Sequence, residues 1–234
     1  MQLEKFKAVD GEMTADFVTR KGTHDPNIVQ EIWDKHFYKA EGYEIKNGDC
    51  VVDIGAHIGS FTVWALHHGA DIMAFEPDEV NFSLLMQNVQ EAKKTCKGTT
   101  SLHNAAVRSI EGMFFIDRGG EGQPNTGGYK IDIEIKGKDA DMVQGVDAGK
   151  MLSDVPRIDF LKLDCEGSEY DILDALAYDD ILEARVKKVV MEWHFDYHKA
   201  KRAVQLLEVN GFTITEFSTN PDAPLPLGRI MAKK

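Results

Sequence analysis

The chain has 234 residues, of which 43% are hydrophobic and 28% charged, a composition typical of globular proteins rather than of disordered or membrane-embedded ones. Its formal net charge is −12, and such a field repels nucleic acid, whose non-specific binding depends on Lys and Arg. The three cysteines form no CxxC pair, no apolar run reaches the roughly 20 residues of a membrane helix, and the first residues lack a signal-peptide pattern, so we expect a cytoplasmic protein that binds neither nucleic acid nor membranes.

The first 45 residues contain one segment with apolar side chains at helical spacing, which predicts a helix over residues 27–40. Ile28, Ile32 and Trp33 mark its apolar face. We expect residues 1–45 to form a helical cap that covers one edge of the main domain, residues 46–234, and helps to close a ligand pocket.

From about residue 50 onward, short apolar runs alternate with amphipathic segments, which is typical of a doubly wound α/β sheet. We therefore predict a Rossmann-like sheet of seven mostly parallel strands with helices on both faces. The predicted strands are 50–54, 72–75, 100–107, 158–163, 186–192, 212–217 and 229–232, and the predicted helices are 60–68, 81–94, 168–177 and 198–210.

One stretch interrupts this alternation between the third and fourth core strands. Residues 113–117 and 129–135 alternate in a strand-like way around a Gly-rich loop at 119–128. The pattern predicts a small antiparallel insertion at about residues 112–137, and this insertion is a candidate specificity element.

A Gly-rich turn joins the first predicted strand to the first predicted helix, at residues 53–59. Gly55 and Gly59 flank it, and such a turn lets a ligand approach the backbone and the helix N-terminus. The dinucleotide pattern G-x-G-x-x-G fails, because His57 holds the middle glycine position. Glu76 ends the second strand about twenty residues after Gly55, a spacing that suits a carboxylate accepting hydrogen bonds from ribose hydroxyls. The combination predicts a nucleotide-type cofactor.

Three segments carry a family resemblance. They are residues 51–62 (VVDIGAHIGSFT), residues 74–77 (AFEP) with Asn81 and Asn88, and residues 158–169 (IDFLKLDCEGSE). Together they resemble the FkbM family of class I methyltransferases over roughly residues 40 to 195, and the third segment is the most specific to that family. The resemblance implies methyl transfer from S-adenosylmethionine, usually to a hydroxyl oxygen of a sugar or other small molecule.

S-adenosylmethionine carries an ammonium group and a sulfonium cation, so a carboxylate beside the turn is tolerated, and we expect Asp53 to meet the ammonium group directly or through water. Many family members have Asn where this chain has His57, which we do not expect to abolish cofactor binding because the backbone of the turn makes most of the contacts. Asn104 and Ala105 are placed at the adenine side by their position in the sheet alone. The expected cofactor-binding residues are Asp53, Gly55, Ala56, His57, Gly59, Ser60, Glu76, Pro77, Asn104 and Ala105.

The ends of two neighbouring strands supply the candidate catalytic residues. Asp164 and Glu166 follow the fourth strand, and Glu192 and His194 lie at the end of the fifth. Ligands of doubly wound sheets bind outside the carboxyl ends of the strands. Methylation of a hydroxyl requires its proton to leave, which a carboxylate or a histidine can assist. The alternatives are that Glu166 only caps the next helix and that His194 only packs against aromatic neighbours.

Three of these residues also offer a metal alternative. Asp164, Glu192 and His194 could hold Mg²⁺ or a similar hard ion, but their spacing is not diagnostic, and we assign no metal. We expect a methyltransferase that acts on a hydroxyl of a small molecule or glycan. The alternatives are an NAD-linked oxidoreductase, disfavoured by the missing dinucleotide motif, and a non-catalytic nucleotide-binding module. The sequence leaves homo-oligomerisation open.

Overall fold

Strands and helices alternate along the computed structural model, which describes residues 1–118, 124–132, 141–220 and 225–234. The strands are β1 (Leu3–Asp10), β2 (Met13–Arg20), β3 (Cys50–Ile54), β4 (Asp71–Phe75), β5 (Thr100–His103), β6 (Ala106–Arg108), β7 (Gly112–Asp117), β8 (Lys130–Asp132), β9 (Asp141–Asp147), β10 (Phe160–Leu163), β11 (Lys188–His194), β12 (Thr213–Phe217) and β13 (Leu227–Lys233). The helices are α1 (Asp25–Trp33), α2 (Ser60–His67), α3 (Glu79–Ala92), α4 (Ala148–Leu152), α5 (Glu169–Tyr178), α6 (Ile181–Arg185) and α7 (Tyr197–Val209).

The central sheet has the strand order β12-β13-β11-β10-β3-β4-β5 among the described residues. Strands β11, β10, β3, β4 and β5 run parallel to one another, whereas β13 runs antiparallel to both β11 and β12. This arrangement confirms the prediction of an α/β fold with a mostly parallel central sheet. The strand order changes direction at β3, so the carboxyl ends of β3, β4 and β10 border one crevice, where ligands of such folds bind.

Each central strand sends alternate side chains into two separate cores. Val51 and Phe160 point into the core that contains α2, α3 and the N-terminal segment. Val52 and Leu161 point into the opposite core, against α5, α6 and α7. All four are fully buried, as expected for strands covered on both faces, and their period of two is what produces the near-continuous apolar runs of the sequence.

The N-terminal segment differs from the predicted helical cap. Residues 3–20 form the hairpin of β1 and β2, which closes between Asp10 and Met13 with Gly11 at a φ of +61°. The hairpin is held by α3, because Asn88 accepts a hydrogen bond from the backbone N–H of Val18 at 2.7 Å and donates one to its carbonyl at 3.3 Å. The cap is therefore a hairpin and a short helix.

The predicted helix over residues 27–40 is also wrong at both ends. Helix α1 begins at Asp25 and ends at Trp33, and His36 then adopts a left-handed φ of +56°, which ends any helical continuation. The chain leaves the helix there and carries Tyr38 back towards the sheet, where its hydroxyl donates a hydrogen bond to Asp164 at 2.9 Å.

The insertion is larger than predicted and belongs to its own sheet, of order β6-β9-β7-β8. The predicted third strand over residues 100–107 is split, because β5 stays in the central sheet while β6 pairs with β9. Strand β9 and the short helices α4 and α6 were not predicted. Residues 119–123 of the predicted Gly-rich loop and residues 133–135 of the predicted strand lie outside the described residues. None of the described helices is both long and apolar enough to span a membrane.

Candidate active site

A cavity of about 1160 Å³ lies at the carboxyl ends of the central strands, large enough for a cofactor together with a small acceptor. Helix α1, the segment after it, the described part of the insertion and the residues before β13 complete its walls. Nine of the residues predicted from the sequence line it: Gly55, His57, Glu76, Pro77, Ala105, Asp164, Glu166, Glu192 and His194. Five do not line it: Asp53, Ala56, Gly59, Ser60 and Asn104.

The Gly-rich turn is pinned to the end of β4 by its own backbone. The N–H groups of Gly55 and Ala56 both donate to the carbonyl of Phe75, at 3.0 and 2.9 Å. The N–H of His57 donates to Oε2 of Glu76 at 2.8 Å, and His57 adopts a φ of +53°. The turn and Glu76 are thus preorganised as one unit before any ligand binds.

Glu76 lies at the centre of this unit and is 5% exposed. Besides the His57 amide, its carboxylate accepts hydrogen bonds from the N–H of Asp78 at 3.0 Å and from the side chain of Asn81 at 3.3 Å. Burial raises the pKa of Glu76 to about 7, although the hydrogen bonds from Asp78 and His57 act in the opposite direction. Its charge therefore changes near neutral pH.

Asp53 does not reach the cavity, contrary to the contact with a cofactor ammonium group that we expected. It is fully buried, and Lys162 of the neighbouring strand donates to its Oδ1 at 2.9 Å, while Thr62 donates to its Oδ2 at 2.6 Å. Lys162 also donates to the carbonyl of Gly55 at 2.8 Å. Because both of its carboxylate oxygens already accept hydrogen bonds, Asp53 holds Lys162 in place, and Lys162 in turn binds the backbone of the turn.

The other residues that do not line the cavity hold the turn or the strand end in place. Asn104 donates to the carbonyls of Glu76 and Pro77, at 2.9 and 3.0 Å, and so fixes the chain after β4. The carbonyl of Ser60 accepts a hydrogen bond from the indole of Trp33 at 3.1 Å, which attaches α1 to α2. These contacts are structural.

A buried polar network that the sequence did not reveal lies behind His57. Arg20 forms a two-pronged ion pair with the fully buried Asp25, at 2.9 Å for each contact. Arg20 also donates to Asn81 at 2.7 Å, and Thr126 of the insertion donates to Asp25 at 2.6 Å. His57 Nε2 lies 2.9 Å from the Thr126 hydroxyl, and burial lowers the pKa of His57 to about 4, so its ring is neutral. The network joins the hairpin, the turn and the insertion.

The carboxyl ends of β10 and β11 bring the four candidate catalytic residues to the cavity. One ligand atom from each of Asp164, Glu192 and His194 lies within 4.8 Å of those of the other two. Glu166 has a left-handed φ of +55°, and its Oε1 lies 3.8 Å from Nε2 of His194. The predicted juxtaposition of two neighbouring strand ends is therefore present.

His194 is oriented by Glu169, the last residue of the segment 158–169 and one for which no specific role was predicted. Nδ1 of His194 lies 2.8 Å from Oε1 of Glu169, which is fully buried at the start of α5. The backbone N–H groups of Cys165 and Gly167 donate to the two oxygens of Glu169, at 2.9 and 2.8 Å. Glu169 is thus a rigid anchor that fixes the imidazole ring.

The charges at this end are strongly perturbed. Burial alone would lower the pKa of His194, but the hydrogen bond and charge of Glu169, together with Glu166 and Asp164, raise it to about 10. Burial raises the pKa of Glu166 to about 7, and burial and the charge of Asp164 raise the pKa of Glu192. Perturbed groups that converge in a cavity are typical of functional sites.

Comparisons with known proteins identify relatives over most of the chain. The family described as the methyltransferase FkbM domain matches residues 53–214. The 31-O-demethyl-FK506 methyltransferase FkbM of Streptomyces tacrolimicus is similar at 29% identity over 217 residues, which cover 80% of this chain and 81% of that protein.

Solved structures share the fold at low sequence identity. The methyltransferase FkbM of Methylobacillus flagellatus superposes with a TM-score of 0.57 at 15% identity, over 85% of this chain and 46% of the other, so the chain spans about half the length of that protein. The magnesium protoporphyrin IX methyltransferase of Synechocystis, solved with bound S-adenosylmethionine, has a TM-score of 0.50 at 12% identity, over 89% of this chain and 76% of the other.

Proposed function

The chain belongs to the FkbM family of S-adenosylmethionine-dependent methyltransferases, and we propose that it methylates a hydroxyl oxygen of a small molecule or sugar. Family membership removes the NAD-linked alternative. We further propose that Gly55, His57 and Glu76 bind the cofactor, with the Glu76 carboxylate on the ribose hydroxyls, and that the acceptor occupies the end of the cavity bordered by Asp164 and His194.

The proposal depends chiefly on the position of the acid–base groups relative to the cofactor turn. Gly55 packs directly against the backbone carbonyl of Asp164, so the turn and the cluster of Asp164, Glu166, Glu192 and His194 border the same space. A hydroxyl must lose its proton as its oxygen attacks the methyl carbon, and a positioned carboxylate such as Glu166, whose pKa is about 7, can accept it. His194, with a pKa of about 10, contributes positive charge beside these carboxylates. Acid–base groups gathered at this edge of the sheet support oxygen as the acceptor atom.

The nature of the acceptor is supported by the relative from Streptomyces tacrolimicus, whose name describes an O-methylation of the small molecule FK506. The cavity itself supports a small acceptor, since about 1160 Å³ must hold both the cofactor and the substrate. Partly buried aromatic side chains that line it, among them Phe37 and Phe195, offer the flat apolar surface on which sugar rings and other cyclic molecules pack.

The experiment that tests this proposal uses S-adenosylmethionine with a ¹³C-labelled methyl group and a panel of hydroxylated, amino and thiol acceptors. We expect transfer to a hydroxylated compound, identified by the carbon chemical shift of an O-methyl group. Glu166→Gln and His194→Asn should each lose most of the turnover while retaining cofactor binding. Transfer to nitrogen, carbon or sulfur alone would contradict the proposal, and full turnover in both variants would remove the catalytic assignments.

Glu76→Gln is expected to weaken the binding of S-adenosylhomocysteine about 10- to 100-fold, because hydrogen bonds to a charged group contribute roughly 1.5–3 kcal/mol. With a pKa of about 7, Glu76 of the free protein is mostly protonated at pH 6 and ionised at pH 8. The ribose hydroxyls bind the ionised form better, so the affinity of the wild type should rise several-fold from pH 6 to pH 8. Calorimetric titration at both pH values measures this change.

The Glu76→Gln variant distinguishes the effect of Glu76 ionisation on S-adenosylhomocysteine affinity from that of the other groups that titrate in the same pH range. Glu76→Gln should lose the part of the pH dependence that comes from Glu76, and any remainder would come from other groups of the cavity such as Glu166, whose pKa is also about 7. Glu31→Gln, which removes an exposed carboxylate from another wall of the cavity, should keep the pH dependence of the wild type. Equal pH dependence in the wild type and in Glu76→Gln would show that Glu76 does not bind the ribose.

A further inference from the structure

We propose that the ends of β10 and β11 form a binding site for a divalent cation such as Mn²⁺ or Mg²⁺. The ligands are one carboxylate oxygen each from Asp164 and Glu192 and the Nε2 atom of His194. One candidate atom from each residue lies within 4.8 Å of the other two, as required of three ligands around one ion after small side-chain adjustments. Two oxygens and one imidazole nitrogen are a donor set suited to hard or borderline divalent ions.

The second observation that favours an ion is the way His194 is held. Its Nδ1 atom is committed to the fully buried Glu169, and Glu169 is fixed in turn by two backbone N–H groups. A carboxylate on one ring nitrogen, with the other nitrogen left for a metal ion, is the arrangement of most metal-binding histidines. Nε2 of His194 lies on the cavity side, 3.8 Å from Oε1 of Glu166 and so beyond hydrogen-bonding distance, and it can therefore contact a cation.

The two carboxylates retain oxygens for an ion. Tyr38 donates a hydrogen bond to Oδ2 of Asp164, which leaves Oδ1 available. Among the described residues, none donates a hydrogen bond to the carboxylate of Glu192, although Glu192 is largely buried in the cavity wall. A buried carboxylate without a donor is costly, and a cation would relieve that cost.

The local charge balance also favours an added cation. Asp164, Glu166, Glu192 and Glu169 surround this end of the cavity. Lys162 approaches Asp164 only to 3.8 Å, because its amino group is bonded to Asp53 and to the carbonyl of Gly55. Lys130 is a further cation near Glu166. A divalent ion would compensate the negative charge that these cations leave.

An ion at this position would deepen the proposed function. Three protein ligands leave coordination positions open for an acceptor hydroxyl, whose pKa a divalent cation lowers before the methyl group is transferred. That role rests on the proposed O-methylation. The binding itself does not, since it can be measured without cofactor or acceptor.

The test is a titration of the chelator-treated 234-residue chain with Mn²⁺, followed by the loss of the electron paramagnetic resonance signal of free aqueous Mn²⁺. We expect one site. Glu192→Gln and His194→Gln should weaken it more than tenfold, and Glu169→Gln, which removes the charge behind His194, about 10- to 100-fold. Glu31→Gln is the matched control for the general negative charge of the cavity and should change the affinity less than about threefold.

Each outcome decides for or against the site. A nitrogen coupling to bound Mn²⁺, present in the wild type and absent in His194→Gln, would establish the imidazole ligand independently of affinity. Retained binding of S-adenosylhomocysteine by the variants would show that they are folded. The proposal is overturned if the wild type binds no Mn²⁺ at millimolar concentration, or if the variants bind it as tightly as the wild type. Because neither result involves an acceptor, failure of the metal site would leave the proposed O-methylation standing.

Discussion

Replacing Lys162 with Met is expected to lower the free energy of unfolding by about 3–5 kcal/mol, the loss typical of removing one partner from a buried ion pair. Lys162 is 2% exposed and Asp53 is fully buried, with 2.9 Å between Nζ and Oδ1. Met fills a similar volume, so the loss would come from the uncompensated charge of Asp53 rather than from a cavity. For a chain of this size, the melting temperature should fall by roughly 6–20 °C.

Lys162 and Asp53 each need the other in order to stay charged inside the sheet. Burial alone would lower the pKa of Lys162, yet the charges of Asp53 and Asp164 outweigh it and raise that pKa, so Lys162 stays charged inside the sheet. After its removal, Asp53 would keep, from the described part of the chain, the hydrogen bond from Thr62 alone. A carboxylate left in that position must either be protonated or draw in water.

Denaturant unfolding of Lys162→Met, Asp53→Asn and the double variant measures the coupling between the two residues. The double variant should be less destabilised than the sum of the single variants, because neither then leaves an unpaired charge. Strict additivity would contradict the ion pair as a source of stability. So would a loss below about 1 kcal/mol in Lys162→Met, the range of an exposed pair.

The parallel sheet could be predicted because its strands are buried on both faces. Such strands appear in the sequence as continuous apolar runs, and Val51–Val52 and Val189–Val190 are clear examples. The grouping of Asp164 with His194 followed from the same pattern, since parallel strands end at a common edge. Whether those residues act in catalysis stays a prediction.

The hairpin of β1 and β2 was missed although its turn begins with Asp10-Gly11, a pair typical of hairpins. Residues 1–45 were interpreted from the helical spacing of Ile28, Ile32 and Trp33 instead. The buried Arg20 of this hairpin donates to Asp25 and to Asn81, and Asp25 also accepts a hydrogen bond from Thr126, so the network joins three parts of the chain that are far apart in sequence. No local pattern encodes such long-range contacts.

The role of Asp53 could not be predicted either, since it depends on the register between two strands that are far apart in sequence. Lys162 of β10 lies directly beside Asp53 of β3, and this neighbour turns a residue that resembles a cofactor ligand into a buried support. A shift of one residue in the register between β3 and β10 would place the lysine on the opposite face of the sheet.

Gly55→Ala is expected to weaken the binding of S-adenosylhomocysteine by about 100-fold or more. A Cβ atom at Gly55 would overlap the backbone carbonyl oxygen of Asp164, which cannot rotate away as a flexible side chain could. Either the turn or the end of β10 must move by about 1 Å, and a misplacement of that size commonly costs about 100-fold in function. We also expect an additional loss of about 1–3 kcal/mol in stability from the overpacking.

Gly48→Ala is a matched control for this change, because Gly48 has the same φ of +82° but no atom within 4 Å of the position that a Cβ would take. Both variants bear the cost of about 1–2 kcal/mol for a side chain in the left-handed region. Any loss of stability beyond that of Gly48→Ala, together with the loss of S-adenosylhomocysteine binding, therefore measures the contact between Gly55 and Asp164. If the two variants lose equal stability and both bind S-adenosylhomocysteine as tightly as the wild type, the close packing of Gly55 on the end of β10 does not contribute to binding, and the proposed role of the turn would be contradicted.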